Sequence, residues 1–291
     1  MLGALESVAE GSRRRVDDSL LLQAASQLTE RDRYLCRLLL EHRVLTTGQV
    51  ADVGFESIRR ALFRLGQLRR LRVVDRFRPL ATAGSAPYHW VLDTVGAAVI
   101  AAERGVEVGD LSWRRDKAIA LATSERLGHA VGVNGFFTAL LRTARHEPEA
   151  ELIVWWSERR CAGAWGAFAH PDGYAVWAEA GRRVAFCFEH DNGTERLARL
   201  SDKLPGYARL FAAGGRRLWV LFSFPGPGRE AEARRALRHP EVPVATAVVL
   251  PGASPAEAIW LPVGEASPRR RLADLGDPGR GPAGGAASPT A

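Results

Sequence analysis

Carboxylates crowded into a small volume must share a proton or hold a cation, and Asp172, Glu189 and Asp191 are candidates for such a meeting. The stretch PDGYAVWAEAGRRVAFCFEHD, residues 171–191, reads as strand, tight turn and strand, with Gly181 in the turn. A loop symmetric about the Ala180–Gly181 bond pairs residues whose numbers sum to 361. Asp172 then faces Glu189 with Cβ atoms about 5 Å apart, and Asp191, two positions on, projects from the same face. A hard divalent ion such as Mg²⁺ takes oxygen ligands and keeps waters that can attack phosphorus, so these three acids are candidate metal ligands and catalytic residues.

Lys203 completes the constellation. Of 40 basic residues only Lys117 and Lys203 are lysine, so a lysine beside the acids stands out from the arginine used elsewhere. It lies on a helix expected over 195–213, about 60° from Leu200 on the stripe that packs on the sheet, and its ammonium could hold an attacking water or offset phosphate charge. Pro205 should kink that helix. His190 points away from Glu189 and reads as a packed histidine. Glu195 suits the first turn of a helix, Glu158 is a weaker fourth ligand, and His129, Asn134, Trp155 and Trp156 read as structural.

The elements that must position these residues follow from periodicity. Thr29 caps a helix through Leu40, Thr46 to Asp52 makes a short second helix, and Phe55 to Arg70 a third. Val73–Phe77 and Tyr88–Leu92 form a two-stranded wing, followed by a helix over 94–103. On the third helix Phe55, Ile58, Leu62 and Leu65 are expected to dock, while Arg59, Arg60, Arg64, Gln67 and Arg70 look outward. With Arg76 of the wing these are the candidate DNA contacts. Residues 28–108 are therefore read as a winged helix-turn-helix domain. Beyond a long helix over 117–145, strands over 152–157, 173–177, 184–190, 218–224 and 244–250 alternate with helices over 195–213 and 229–237, the pattern of a mixed sheet flanked by helices. The fold class is α/β, α+β overall, with the second domain over 109–250. Residues 1–27 are expected to be flexible apart from a helical turn at 19–25, and the Pro/Gly/Ala-rich tail over 251–291 disordered.

Composition points the same way. Net charge is +7 over 291 residues, and residues 55–78 alone carry eight arginines against Glu56 and Asp75, so almost all the excess is local. That points toward a polyanion or an anionic surface, and with the winged-helix pattern the expected partner is double-stranded DNA. Three well-separated cysteines, Cys36, Cys161 and Cys187, suit a reducing cytoplasm and free thiols. With neither a signal-peptide core nor an 18-residue apolar run, no membrane partner is expected.

PDG, FEHDNGTE and KLPGYARL resemble the replication-relaxation family of actinobacterial and mobile-element proteins, over roughly residues 28–250. The resemblance implies a role in plasmid or mobile-element replication. It also implies a C-terminal half similar to the PD-(D/E)xK nuclease fold, restriction-endonuclease-like, with Pro171 and Asp172 matching the first element and Glu189 the second. The sequence departs from that motif where Asp191 occupies the lysine position, leaving Lys203 as a migrated substitute. Two functions fit: a DNA-binding, Mg²⁺-dependent endonuclease, or a non-enzymatic winged-helix regulator whose second domain is inactive and serves homodimerisation or docking.

Overall fold

The computed structural model describes residues 18–79, 85–194, 196–250 and 252–279. The protein is mixed α/β and divides into two compact units, the first ending at Asn134 and the second starting at Gly135. No helix among the described residues is long and apolar enough to cross a membrane.

In the first unit, α1 (Asp18–Gln27) precedes α2 (Glu30–His42), β1 (Leu45–Thr46), α3 (Thr47–Gly54) and α4 (Ile58–Arg70). The start signals act as expected. Thr29 and Thr46 cap α2 and α3 in reciprocal capping boxes with Asp32 and Gln49, and Ser57 caps α4. β2 (Val74–Phe77) and β3 (His89–Leu92) pair antiparallel, and β1 joins β3 on its other edge. Part of the expected wing loop, residues 80–84, lies outside the described residues. α5 (Thr94–Arg104) closes the set.

Three expectations change here. The helical turn expected at 19–25 is the longer α1, residues 18–27, with Ala24 fully buried; residues 1–17, expected to be flexible, lie outside the described residues. The single helix expected over 117–145 is two, α6 (Arg115–Ala120) and α7 (Leu127–His146), broken where Thr123 bonds back to Ala120 O and Ser124 Oγ accepts from Arg126 N. The first unit also runs past residue 108, because Ala118, Leu121, Leu127 and Val131 pack on Val44, Phe77 and Val91.

The second unit is a six-stranded sheet in the order β4-β5-β6-β7-β8-β9: β4 (Ala150–Ser157), β5 (Gly173–Glu179), β6 (Arg182–His190), β7 (Trp219–Phe224), β8 (Val244–Val248) and β9 (Leu261–Pro262). β6, β7 and β8 are parallel neighbours and the other pairs antiparallel. A short α8 (Glu158–Trp165), capped by Ser157, follows β4. The expected 195–213 helix is two pieces, α9 (Leu197–Asp202) and α10 (Leu204–Gly214), meeting at Lys203 with Pro205 in the first turn of the second. α11 (Pro227–Ala236) links β7 to β8. Alternation in β6 serves two faces: Phe188 stacks on Phe136 of α7, while Cys187 packs with Tyr207 and Phe211 of α10.

The tail from residue 251 is not disordered over 252–279. Trp260 is fully buried, β9 pairs with β8, and Arg269 reaches the buried carboxylate of Glu230 at 2.7 Å. Arg234 of α11 donates to the carbonyls of Leu261, Pro262 and Glu265. Composition concealed this anchoring because one tryptophan and an arginine clamp hold an otherwise Pro/Gly/Ala-rich segment. Residues 280–291 lie outside the described residues.

Candidate functional site

The β5–β6 hairpin turns through Ala180 and Gly181, both at positive φ (49° and 74°), the two-residue geometry that matches strand twist. Its ladder runs from Glu179↔Arg182 to Gly173↔Phe188, every pair summing to 361, which is the expected register. Asp172 and Glu189 are the residues that follow the last recorded pair on each strand, just past the ladder's end. There the Asp172 carboxylate accepts the His190 N–H at 2.8 Å.

Glu189 is 2% exposed. Its two oxygens have separate donors: Tyr207 Oη to Oε1 at 2.5 Å and Lys203 Nζ to Oε2 at 2.7 Å. Lys203 sits at the α9–α10 joint, and the buried Leu200, Leu204, Tyr207 and Phe211 turn that joint toward the sheet. Gly206 permits the approach, since a Cβ there would lie 2.4 Å from the Phe168 carbonyl oxygen. Burial, and then the charge of Asp172, push the Glu189 carboxyl up to about 7 against the opposing pull of Lys203 and Tyr207. Burial and the adjacent Glu189 charge raise the Tyr207 phenol well above its ordinary range.

Asp191 does not join this group. It is 3% exposed and accepts Arg229 Nε at 2.7 Å on Oδ2 and Gly193 N–H at 2.9 Å on Oδ1, while its own N–H reaches Ser223 O. His190 Nδ1 lies 2.8 Å from Ser223 Oγ, consistent with a packed histidine. Glu158 is exposed in the first turn of α8, Asn134 donates to His42 O and Val44 O, and Glu195 lies outside the described residues. Among the described residues no three His, Cys, Asp or Glu side chains gather as a metal-holding group. As paired, each Glu189 oxygen faces a protein donor and Asp191 is an ion-pair partner, so Mg²⁺ would reach these acids only by displacing Lys203 and Arg229. The crowding foreseen between Asp172 and Glu189 is relieved by an ammonium, a phenol and a raised proton affinity. Tyr207 and Arg229 were missed in the sequence. The signal for Tyr207 was its i, i+4 spacing from Lys203 in KLPGYARL.

In the first unit the six candidate DNA contacts separate. Arg59 and Arg70 are exposed on α4, and Arg60, also exposed, pairs with Glu56 at 2.6 Å. Arg64 turns inward. Its guanidinium binds both oxygens of the fully buried Asp32, together with Gln27 O and Gln67 Oε1, so Arg64 and Gln67 belong to the packing of α4 against the start of α2. The Asp32 carboxyl stays below its usual range because the hydrogen bonds from Arg64 and Thr29 outweigh its burial. Arg76 lies over the Tyr88 ring at 3.7 Å, with Arg78 over the same ring at 4.0 Å. The docking face of α4 is Ala61, Leu65 and Leu68, whereas Ile58 and Leu62, expected in the core, are exposed together with Phe63.

A family model described as replication-relaxation matches residues 36–218. No curated protein and no solved structure matches the chain.

Proposed function

The chain belongs to the replication-relaxation family, and from that premise we propose that it is a DNA-binding protein of plasmid or mobile-element replication whose first unit grips duplex DNA as a winged helix. The observation that carries this reading is a set of basic side chains: Arg59 and Arg70 exposed on α4, and Arg76 and Arg78 over the ring of Tyr88, the residue before β3. Guanidinium groups of this kind neutralise phosphates, and each one engaged steepens the salt dependence of binding. Electrophoretic mobility shifts on duplex DNA across a salt series test it. Wild type should bind, and the double variant Arg59→Ala/Arg70→Ala should bind more weakly with a salt slope reduced by about 2. No shift by wild type at low salt would refute it.

For the second unit the pairing of Glu189 with Lys203 and Tyr207, and of Asp191 with Arg229, favours a non-enzymatic docking or dimerisation module. A second reading, a Mg²⁺-dependent phosphodiesterase, is supported by Glu189, which feels the charge of Asp172 and bonds to Lys203. It requires Lys203 to release the carboxylate. Plasmid nicking with Mg²⁺ or Mn²⁺ separates the two: nicking lost in Asp172→Ala and Lys203→Ala establishes the hydrolase, and equal or absent nicking in all three proteins removes it.

A further inference from the structure

The outward face of α4 carries more than charge. Arg59, Phe63, Gly66 and Arg70 follow one another at i, i+4, i+7 and i+11, within about 60° around the helix, with Leu62 alongside. Phe63 is 71% exposed, Ile58 56% and Leu62 38%. An aromatic ring that exposed, bracketed by two arginines, is the wrong composition for a merely solvated face and for a plain phosphate-binding face alike.

Gly66 adds an independent observation. A glycine inside a helix costs about 1 kcal/mol relative to alanine, and here a Cβ would meet nothing within 4 Å among the described residues. Packing among those residues therefore gives no reason for its absence. A point without a side chain on an open helix face is where an outside surface can come close to the backbone.

Resting on the DNA-binding reading above, we infer that this stripe is the base-reading edge of α4: Phe63, with Leu62, contacts thymine C5-methyl groups in the major groove, and Gly66 allows the helix to sit deep enough for that contact. The chemistry is complementary throughout. The C5-methyl is the apolar feature that the major groove displays, and side chains such as Phe recognise it by contact. Arg59 and Arg70 stand about 16 Å apart along the axis, so the two guanidinium groups flank the apolar contact at either end, where each can meet a backbone phosphate. The basic surroundings draw in DNA, whereas a second copy of the same face would bring like charges together.

The test uses duplexes recovered by selection from a randomised pool, and the same duplexes resynthesised with deoxyuridine for thymidine, which removes only the methyl groups. Wild type should bind the uracil duplexes about tenfold more weakly, and Phe63→Ala should bind both forms equally. Gly66→Ala should raise the melting temperature and still weaken binding, a combination that loss of folding cannot produce. Equal wild-type binding to thymine and uracil duplexes, or unchanged affinity in Gly66→Ala, overturns the inference and leaves DNA binding standing. Binding to no duplex at all overturns the DNA-binding reading itself. A dimer in sedimentation that Phe63→Ala dissociates would give the patch to a second copy and overturn the inference.

Discussion

Replacing Lys203 by methionine keeps the length of its stem and deletes the ammonium 2.7 Å from Glu189, which makes the buried carboxylate answerable to pH. A carboxyl whose folded-state proton affinity is raised from an ordinary 4.5 to about 7 gives stability that is full below pH 4.5 and is lost as pH rises through 7. In the wild type the loss levels off near 7, because beyond that point the folded carboxyl is ionised as well. Without Lys203 the levelling point moves upward, and stability keeps falling by about 1.4 kcal/mol per pH unit. At about pH 8.5 the variant should therefore lie roughly 2 kcal/mol below wild type, while near pH 5.5 the two should nearly coincide. Urea titrations followed by tryptophan fluorescence, with matched m-values, measure both differences. Adding Glu189→Gln to Lys203→Met should flatten the pH dependence. An offset equal at both pH values would refute the linkage and show that Lys203 matters only through packing.

Asp32→Ala, which leaves Arg64 without its buried partner and α2 without half of its capping box, should lower the stability of the protein by about 3 kcal/mol, read as a fall in melting temperature; an unchanged melting temperature would argue against the inward role of Arg64. Arg269→Ala strands the Glu230 carboxylate, 2% exposed, and should cost about 2 kcal/mol while opening residues 252–279 to limited proteolysis; protection equal to wild type would count against the clamp. Cys36, Cys161 and Cys187 are buried, and burial pushes the Cys36 thiol up to about 12, so all three should label with a thiol reagent only on denaturation, whereas rapid labelling of native protein would contradict their placement.

Local signals were legible where backbone chemistry dictates the outcome. Thr29 and Thr46 marked helix starts as capping residues, and the turn at Ala180–Gly181 fixed the hairpin register. The rarity of lysine marked Lys203, which does meet Glu189. What periodicity could not supply was the direction of long side chains. Arg64 occupies an intermediate position on α4, and its inward turn depends on Asp32, a residue 32 positions away whose buried charge no helical pattern reveals. Asp191 was read on the same face as Glu189 but leaves the strand and finds Arg229 on a helix 38 residues on. Trp260 shows the limit of composition, because one large ring can anchor a segment whose average looks unstructured.

The knot of Thr29, Asp32 and Arg64 has a consequence for recognition. Since the guanidinium bonds to Asp32, Gln67 and the Gln27 carbonyl at once, the helix bearing Phe63 is locked in azimuth before any ligand arrives. If α4 reads duplex DNA as proposed, a surface already held in this posture surrenders little conformational entropy on association, and more of the contact free energy remains for discriminating one sequence from another.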